Sequence, residues 1–145
     1  MKTNTTYNFS YFQLTLLDYL KGSHPRKVDD VRFIKERAKE AMDAYLSAIH
    51  EGYISTTAQE IANKLLFKGL LFSKHDMFVN VLWNEFPDII AHSEAKEFAI
   101  EIEEESEIVF SKYYLSDEFD YSPEYDKLYT ELTGFIDIWL EEHEL

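Results

Sequence analysis

Residues 29–52, DDVRFIKERAKEAMDAYLSAIHEG, decide the fold class. Val31, Ile34, Ala38, Ala41, Tyr45 and Ala48 step by 3-4-3-4-3, which puts small and apolar side chains in one seam of an α-helix facing a partner helix. Arg32, Lys35, Glu36, Lys39, Glu40 and Asp43 cover the other faces with a solvated mixture of both signs. Asp29 and Asp30 are acids suited to a helix N-terminus, and Gly52 is a stop signal.

Working outward, the same periodicity extends to both ends. Residues 8–21 predict a helix stopped by Gly22, ahead of Pro25. Tyr11, Leu14, Leu17 and Leu20 form one stripe and Phe9, Phe12, Leu16 and Tyr19 another, the pattern of a helix buried or at an interface. The alternation of Tyr7, Phe9 and Tyr11 also fits a short strand. Ser55, Thr56 and Thr57 are candidate N-caps, with Gln59 and Glu60 placed for a capping box, for a helix to about Leu70. Ser73 with Asp76 opens the next helix, which Pro87 closes after Phe86; Met77, Phe78, Val79, Val81, Leu82 and Trp83 make it central. Residues 94–113 predict a fifth helix with Ala95, Phe98, Ala99, Ile102, Val109 and Phe110 inward, and Phe98–Ile102 keeps a strand as the lesser alternative. After an acidic, aromatic connector at 114–121, Ser122-Pro123-Glu124 reads as N-cap, first-position proline and first-turn acid of the last helix. Tyr125, Leu128, Tyr129, Leu132, Phe135, Ile136, Trp139 and Leu140 line one face of it. The expected class is all-α, with about six helices in a single-domain helical bundle over residues 1–145.

The bulk numbers agree. At 145 residues one domain with one core is the default, and 46% hydrophobic with 16% aromatic content supports a sizeable core. The absence of cysteine excludes disulfides and thiolate chemistry and suits a reducing compartment. MKTNTTYNFS lacks the apolar core of a secretory signal, and no apolar run approaches the ~18 residues of a membrane helix. A soluble cytoplasmic protein is expected. The net charge of −14 opposes general binding to nucleic acid or anionic membranes. Its distribution is lopsided: residues 1–86 carry 11 Lys+Arg against 10 Asp+Glu, net +1, and residues 87–145 carry 3 against 18, net −15.

Catalytic and metal signatures fail on spacing. His24, His50, His75, His92 and His143 form no H-x-x-x-H pair. The Glu that a di-iron bundle needs three residues before each His is replaced by Lys21, Ser47, Phe72, Ile89 and Leu140. Asp117, Glu118 and Asp120 are a fragment of a calcium loop without its glycine or terminal glutamate, so a solvated connector is the preferred reading. No G-x-S-x-G or glycine-rich phosphate loop is present. No catalytic, cofactor-binding or metal residue is therefore expected.

Three features bear on partners. Residues 58–82 have the cadence of a helix-turn-helix with Ser73 capping the reading helix, but that helix is apolar and its connector too long. The run Lys21, Arg26, Lys27, Arg32, Lys35, Arg37 and Lys39 reads as solvation of the second helix before it reads as a phosphate or docking patch. The acidic cluster is the main lead. Glu101, Glu103, Glu104, Glu105 and Glu107 repel along the helix, followed by Asp117, Glu118, Asp120, Glu124 and Asp126 among Tyr113, Tyr114, Phe119, Tyr121 and Tyr125. Solubility alone tolerates such repulsion; the alternative is a face for a basic partner, with aromatics as anchors.

YFQLTLLDYLKGSHP at 11–25, LLFSKHDMFVNVLWNEFP at 70–87 and YSPEYDKLYTELTG at 121–134 resemble an uncharacterised family known mainly from Bacteroidetes, catalogued as the domain of unknown function DUF1896. The resemblance implies an all-helical domain and a link to mobile-element gene regions. It supplies no functional residues. The leading expectation is a non-enzymatic protein acting by protein–protein contact, as a homo-oligomer or on a basic partner. Glu101, Glu104, Glu105, Asp117, Glu118, Asp120 and Tyr121 are the candidate contact residues. The alternatives are a nucleic-acid role, as the reader at 58–82 or as an acidic mimic of DNA, and an uncharacterised enzyme.

Overall fold

The computed structural model describes the backbone of residues 2–145 and the side chains from residue 9 onward. The expectation drawn from MKTNTTYNFS, and the side chain of Tyr7, lie largely outside the described residues. Among those described, the six expected helices are present and there is no strand. They are α1 (Lys2–Ser23), α2 (Val31–His50), α3 (Ser55–Leu66), α4 (Lys74–Glu85), α5 (Ala95–Ile102) with α6 (Glu107–Phe110), and α7 (Glu124–Glu142). The fifth helix counts as two because a 3-10 turn, Glu103–Ser106, interrupts it. Both strand alternatives are thereby overturned.

The chain divides into two compact units, Met1–Leu70 and Leu71–Leu145. Buried apolar residues form two clusters, one in each unit, where length alone led to an expectation of one core.

In the first unit α2 packs against both α1 and α3. The expected seam is largely real: Ile34, Ala38, Ala41 and Ala48 are buried, but Val31, at the first position of α2, is exposed. Ala38 and Ala41 on α2, with Ala58 and Ala62 on α3, are fully buried, and side chains this small let two helices approach closely. On α1 the core takes a single stripe, Phe12, Leu16 and Leu20, whereas Tyr11 and Leu14 face outward. Asp30 caps α2 by accepting from Phe33 N–H at 3.2 Å. Gly52, at φ +100°, closes it, with Gly52 N–H bonded to Ile49 and Tyr53 N–H to Ala48.

Several ends differ from expectation for local reasons. Helix α1 passes Gly22 and stops at Ser23, since His24 precedes Pro25 and is pushed out of helical geometry. None of Ser55, Thr56 or Thr57 caps α3; Ile54 holds the cap position and the Ser55 hydroxyl meets Tyr45 Oη at 3.2 Å. Helix α3 ends at Leu66 rather than Leu70. Arg37 of α2 seals that end, with Nη1 donating to the carbonyls of Leu65, Leu66 and Lys68 at 3.2, 3.3 and 2.6 Å. Its guanidinium also lies 4.9 Å from the Phe33 ring centre. The carbonyl of Leu70 accepts from Tyr19 Oη at 2.7 Å and sits 2.8 Å from His24 Nε2.

In the second unit α4 packs against α5 and α7. Ser73 caps α4 as expected, accepting from Asp76 N–H at 3.0 Å. Phe72, Met77, Phe78, Val79, Val81, Leu82 and Phe86 are buried, with Leu128, Leu132, Ile136 and Leu140 of α7 and Ala95, Ala99 and Ile102 of α5. The α7 start is shifted by one residue: Pro123 holds the cap position without a side-chain cap, and Ser122 Oγ donates to Phe119 O at 2.8 Å. Among the described residues no helix is long and apolar enough to cross a membrane.

Candidate acidic interaction face

The unit boundary makes the charge asymmetry sharper than the sequence division at 86/87. Residues 1–70 hold 10 Lys+Arg against 8 Asp+Glu, net +2, and residues 71–145 hold 4 against 20, net −16. Of those four lysines, Lys74 pairs with Glu107 at 2.7 Å, Lys112 with Glu131 at 3.0 Å, and Lys96 lies 6.0 Å from the Trp83 ring centre.

The seven candidate residues occupy the segment from the end of α5 to the start of α7, and they are not equivalent. Glu101, Glu104, Glu105 and Glu118 are exposed. Glu105 also has a structural task, accepting from Trp139 Nε1 on α7 at 3.1 Å. Asp117 is half-buried and accepts from Leu71 N–H at 3.1 Å, so it fastens the connector instead of offering a free carboxylate. Asp120 is exposed on the 3-10 turn Phe119–Tyr121; partial loss of hydration against that turn, and then the charge of Asp76, raise its pKa above the usual aspartate value. Tyr121 is 90% exposed.

The aromatics divide into an inner and an outer set. Phe119 is buried against Phe72, with ring centres 5.0 Å apart, and Tyr113 and Tyr125 stand 6.1 and 6.3 Å from it. Tyr113 Oη donates a short hydrogen bond to Glu131 Oε1, while Lys112 Nζ donates to Oε2. That bond to Glu131 first, and burial second, push the Tyr113 hydroxyl up to about 12. The same bond, followed by that from Lys112, lowers the pKa of Glu131. Burial, then Asp120, raises Tyr125. These side chains line or adjoin a shallow open depression that includes Glu124, Asp126, Lys127 and Thr130. Tyr114 and Tyr121, 87% and 90% exposed, have no such packing role.

One pair escaped the sequence reading. Glu103, counted there with the exposed acidic run, is buried, and its Oε2 lies 2.8 Å from Nδ1 of buried His75. A signal was available. Glu103 falls four residues after Ala99, and His75 three and four before Phe78 and Val79, so helical spacing puts both on inward faces.

The helix-turn-helix reading fails on burial. A reading helix must show one face to the bases, and in α4 His75, Met77, Phe78, Val79, Val81 and Leu82 are buried. Its exposed charges are Lys74, Asp76 and Glu85, a poor match to phosphate. Among the described residues no three His, Asp or Glu side chains are grouped to hold a metal ion.

No curated protein matches the chain. Among solved structures, the crystal structure of protein PG0816 from Porphyromonas gingivalis is similar, with TM-score 0.91 and 36% identity over 99% of this chain and 97% of that one. The family described as domain of unknown function DUF1896 matches residues 4–145, so this chain belongs to that family.

Proposed function

We propose that the protein is a non-enzymatic helical protein that works by contact with a basic protein partner, received on the acidic second unit. The observation that carries this reading is the pair Tyr114 and Tyr121, almost wholly exposed on the connector of a unit with net charge −16. Neither ring contributes to the core, so packing does not account for it. Exposed tyrosines give a partner large, rigid contact area, and surrounding carboxylates steer a cation-rich surface toward them.

The geometry also dictates the test. Neutralising Glu105 or Asp117 would disturb the Trp139 and Leu71 contacts, so those two stay. Proteins captured from nuclease-treated native-cell extract by wild type are compared with those captured by Tyr114→Ser/Tyr121→Ser and by Glu101→Gln/Glu118→Gln. The expected result is a salt-sensitive, Lys- and Arg-rich partner that the tyrosine variant binds at least ~30-fold more weakly, the loss typical of an aromatic anchor. Equal capture by all three proteins sinks the proposal. Capture of a DNA-binding protein that DNA displaces would favour the acidic mimic of DNA instead.

A further inference from the structure

His75 and Glu103 are the only buried titratable side chains among the described residues, and they face each other at 2.8 Å. Glu103 opens the 3-10 turn Glu103–Ser106 that breaks the α5–α6 helix, and Ser106 Oγ donates back to Glu103 O across that turn. The break lies within Glu101, Glu103, Glu104, Glu105 and Glu107, where a continuous helix would stack like charges at i,i+3 and i,i+4. We infer that His75 is a proton-operated latch: its charge state sets how tightly α4 holds the turn Glu103–Ser106.

The surroundings define the direction. On its own helix His75 is flanked by Lys74, paired with Glu107, and by Asp76, whose field reaches Asp120. The buried residues of α5 are Ala95, Ala99 and Ile102, and those of α7 are Leu128, Leu132, Ile136 and Leu140, all apolar. Glu103 is thus the charge that meets the imidazole directly. With His75 protonated the buried pair is neutral overall. With His75 neutral, the Glu103 carboxylate loses the cation beside it while Glu101, Glu104, Glu105 and Glu107 repel it, and a buried charge so placed is costly. The latch tightens when His75 gains its proton and loosens when it gives that proton up.

The molecule contains its own reporter. Trp139 Nε1 bonds Glu105 on the turn in question, so its emission senses that segment. Two other groups are first removed. Trp83 is the other tryptophan, and His143 stacks on Trp139 at 3.7 Å. In a Trp83→Phe/His143→Gln background, emission is followed from pH 5 to 8 with and without His75→Gln, which can still donate to Glu103 but does not titrate. A reversible change that His75→Gln abolishes is the expected result. No change, or the same change with His75→Gln, overturns the latch. Should His75→Gln misfold, wild type answers the question by nuclear magnetic resonance. The His75 ring and the Glu103–Ser106 amides should then share one midpoint. Protection of those amides, corrected for intrinsic exchange, should fall roughly fivefold or more across it. Separate midpoints or unchanged protection reject the proposal.

Discussion

The two units solve the same problem, burying apolar surface with about 70 residues, with different emphasis. The first brings helices together with alanines and fastens their ends where the Asp30 carboxylate accepts from, and Arg37 and Tyr19 donate to, the backbone, together with the Gly52 turn. Its charges nearly cancel. The second packs on rings, Phe72, Phe78, Phe110, Phe119 and half-buried Tyr113, Tyr125 and Trp139, and carries 20 acids around them. A unit with balanced charge can be indifferent to pH and salt; a unit of net −16 cannot, because self-repulsion opposes its compact form. The second unit is therefore the place to look for conditional behaviour.

The comparison is broken most severely in the cores. Phe12 in the first unit and Phe78 in the second are 1% and 0% exposed. Phe12→Ala or Phe78→Ala should each cost ~3–5 kcal/mol, the range for a phenylalanine removed from a packed interior. Urea midpoints give the total, and amide exchange shows where protection is lost first: in α1–α3 for Phe12→Ala and in α4–α7 for Phe78→Ala. Loss spread evenly over both units from either variant would refute independent cores.

A sharper contrast comes from pH, through Tyr113 and Glu131. The folded protein holds the Tyr113 proton to about 12, whereas an unfolded chain releases it near the ordinary tyrosine value of about 10. A raised folded pKa means that the stability contributed is whole below that ordinary value and is lost as pH rises through the folded one. Glu131 runs the other way: its folded pKa is lowered, so its contribution is present above the usual glutamate range and is lost as pH falls through the folded value. The pair supports the second unit across the middle of the pH scale and fails at both ends. Tyr125 and Tyr129 are raised as well, so ultraviolet titration should show several late tyrosines in wild type, of which the latest, Tyr113, moves back toward the ordinary range in Glu131→Gln. If that latest titration survives Glu131→Gln, the hydrogen bond is not its cause.

Much of this fold is written in periodicity. Ile34, Ala38, Ala41 and Ala48, and Leu128, Leu132, Ile136 and Leu140, are legible because burial on a helix repeats with its turn. The caps are less legible, since Ser55 and Ser122 have cap chemistry but spend their hydroxyls on Tyr45 and on the Phe119 carbonyl. The boundary at 70/71 is faintly marked: only Lys68 and Gly69 interrupt the apolar residues from Leu65 to Phe72, and Leu70 and Leu71 flank the boundary itself. The acidic stretch was legible as a region, but the placement of its individual acids was not. Composition cannot say which acids of a run turn inward, and so exposed Glu101, fastened Asp117 and buried Glu103 look alike until their partners are placed.

Asp120 gives the smallest effect and the finest test of the contrast. Its pKa is raised, so the folded state disfavours its charge. The stability it contributes is present below the ordinary aspartate value and is lost as pH rises through the folded one. At neutral pH the ionised side chain therefore works against the fold. Asp120→Asn should raise the urea midpoint slightly at pH 7 and leave it unchanged near pH 3, where wild type is protonated as well. Salt separates the two causes. Lost hydration is the larger and is insensitive to ions, whereas the repulsion from Asp76 is screened once the Debye length falls to about 3 Å at 1 M salt. Most of the gain should persist at high salt. A gain that vanishes there makes charge density the dominant force on the connector, and a loss in place of a gain gives Asp120 a favourable contact of its own.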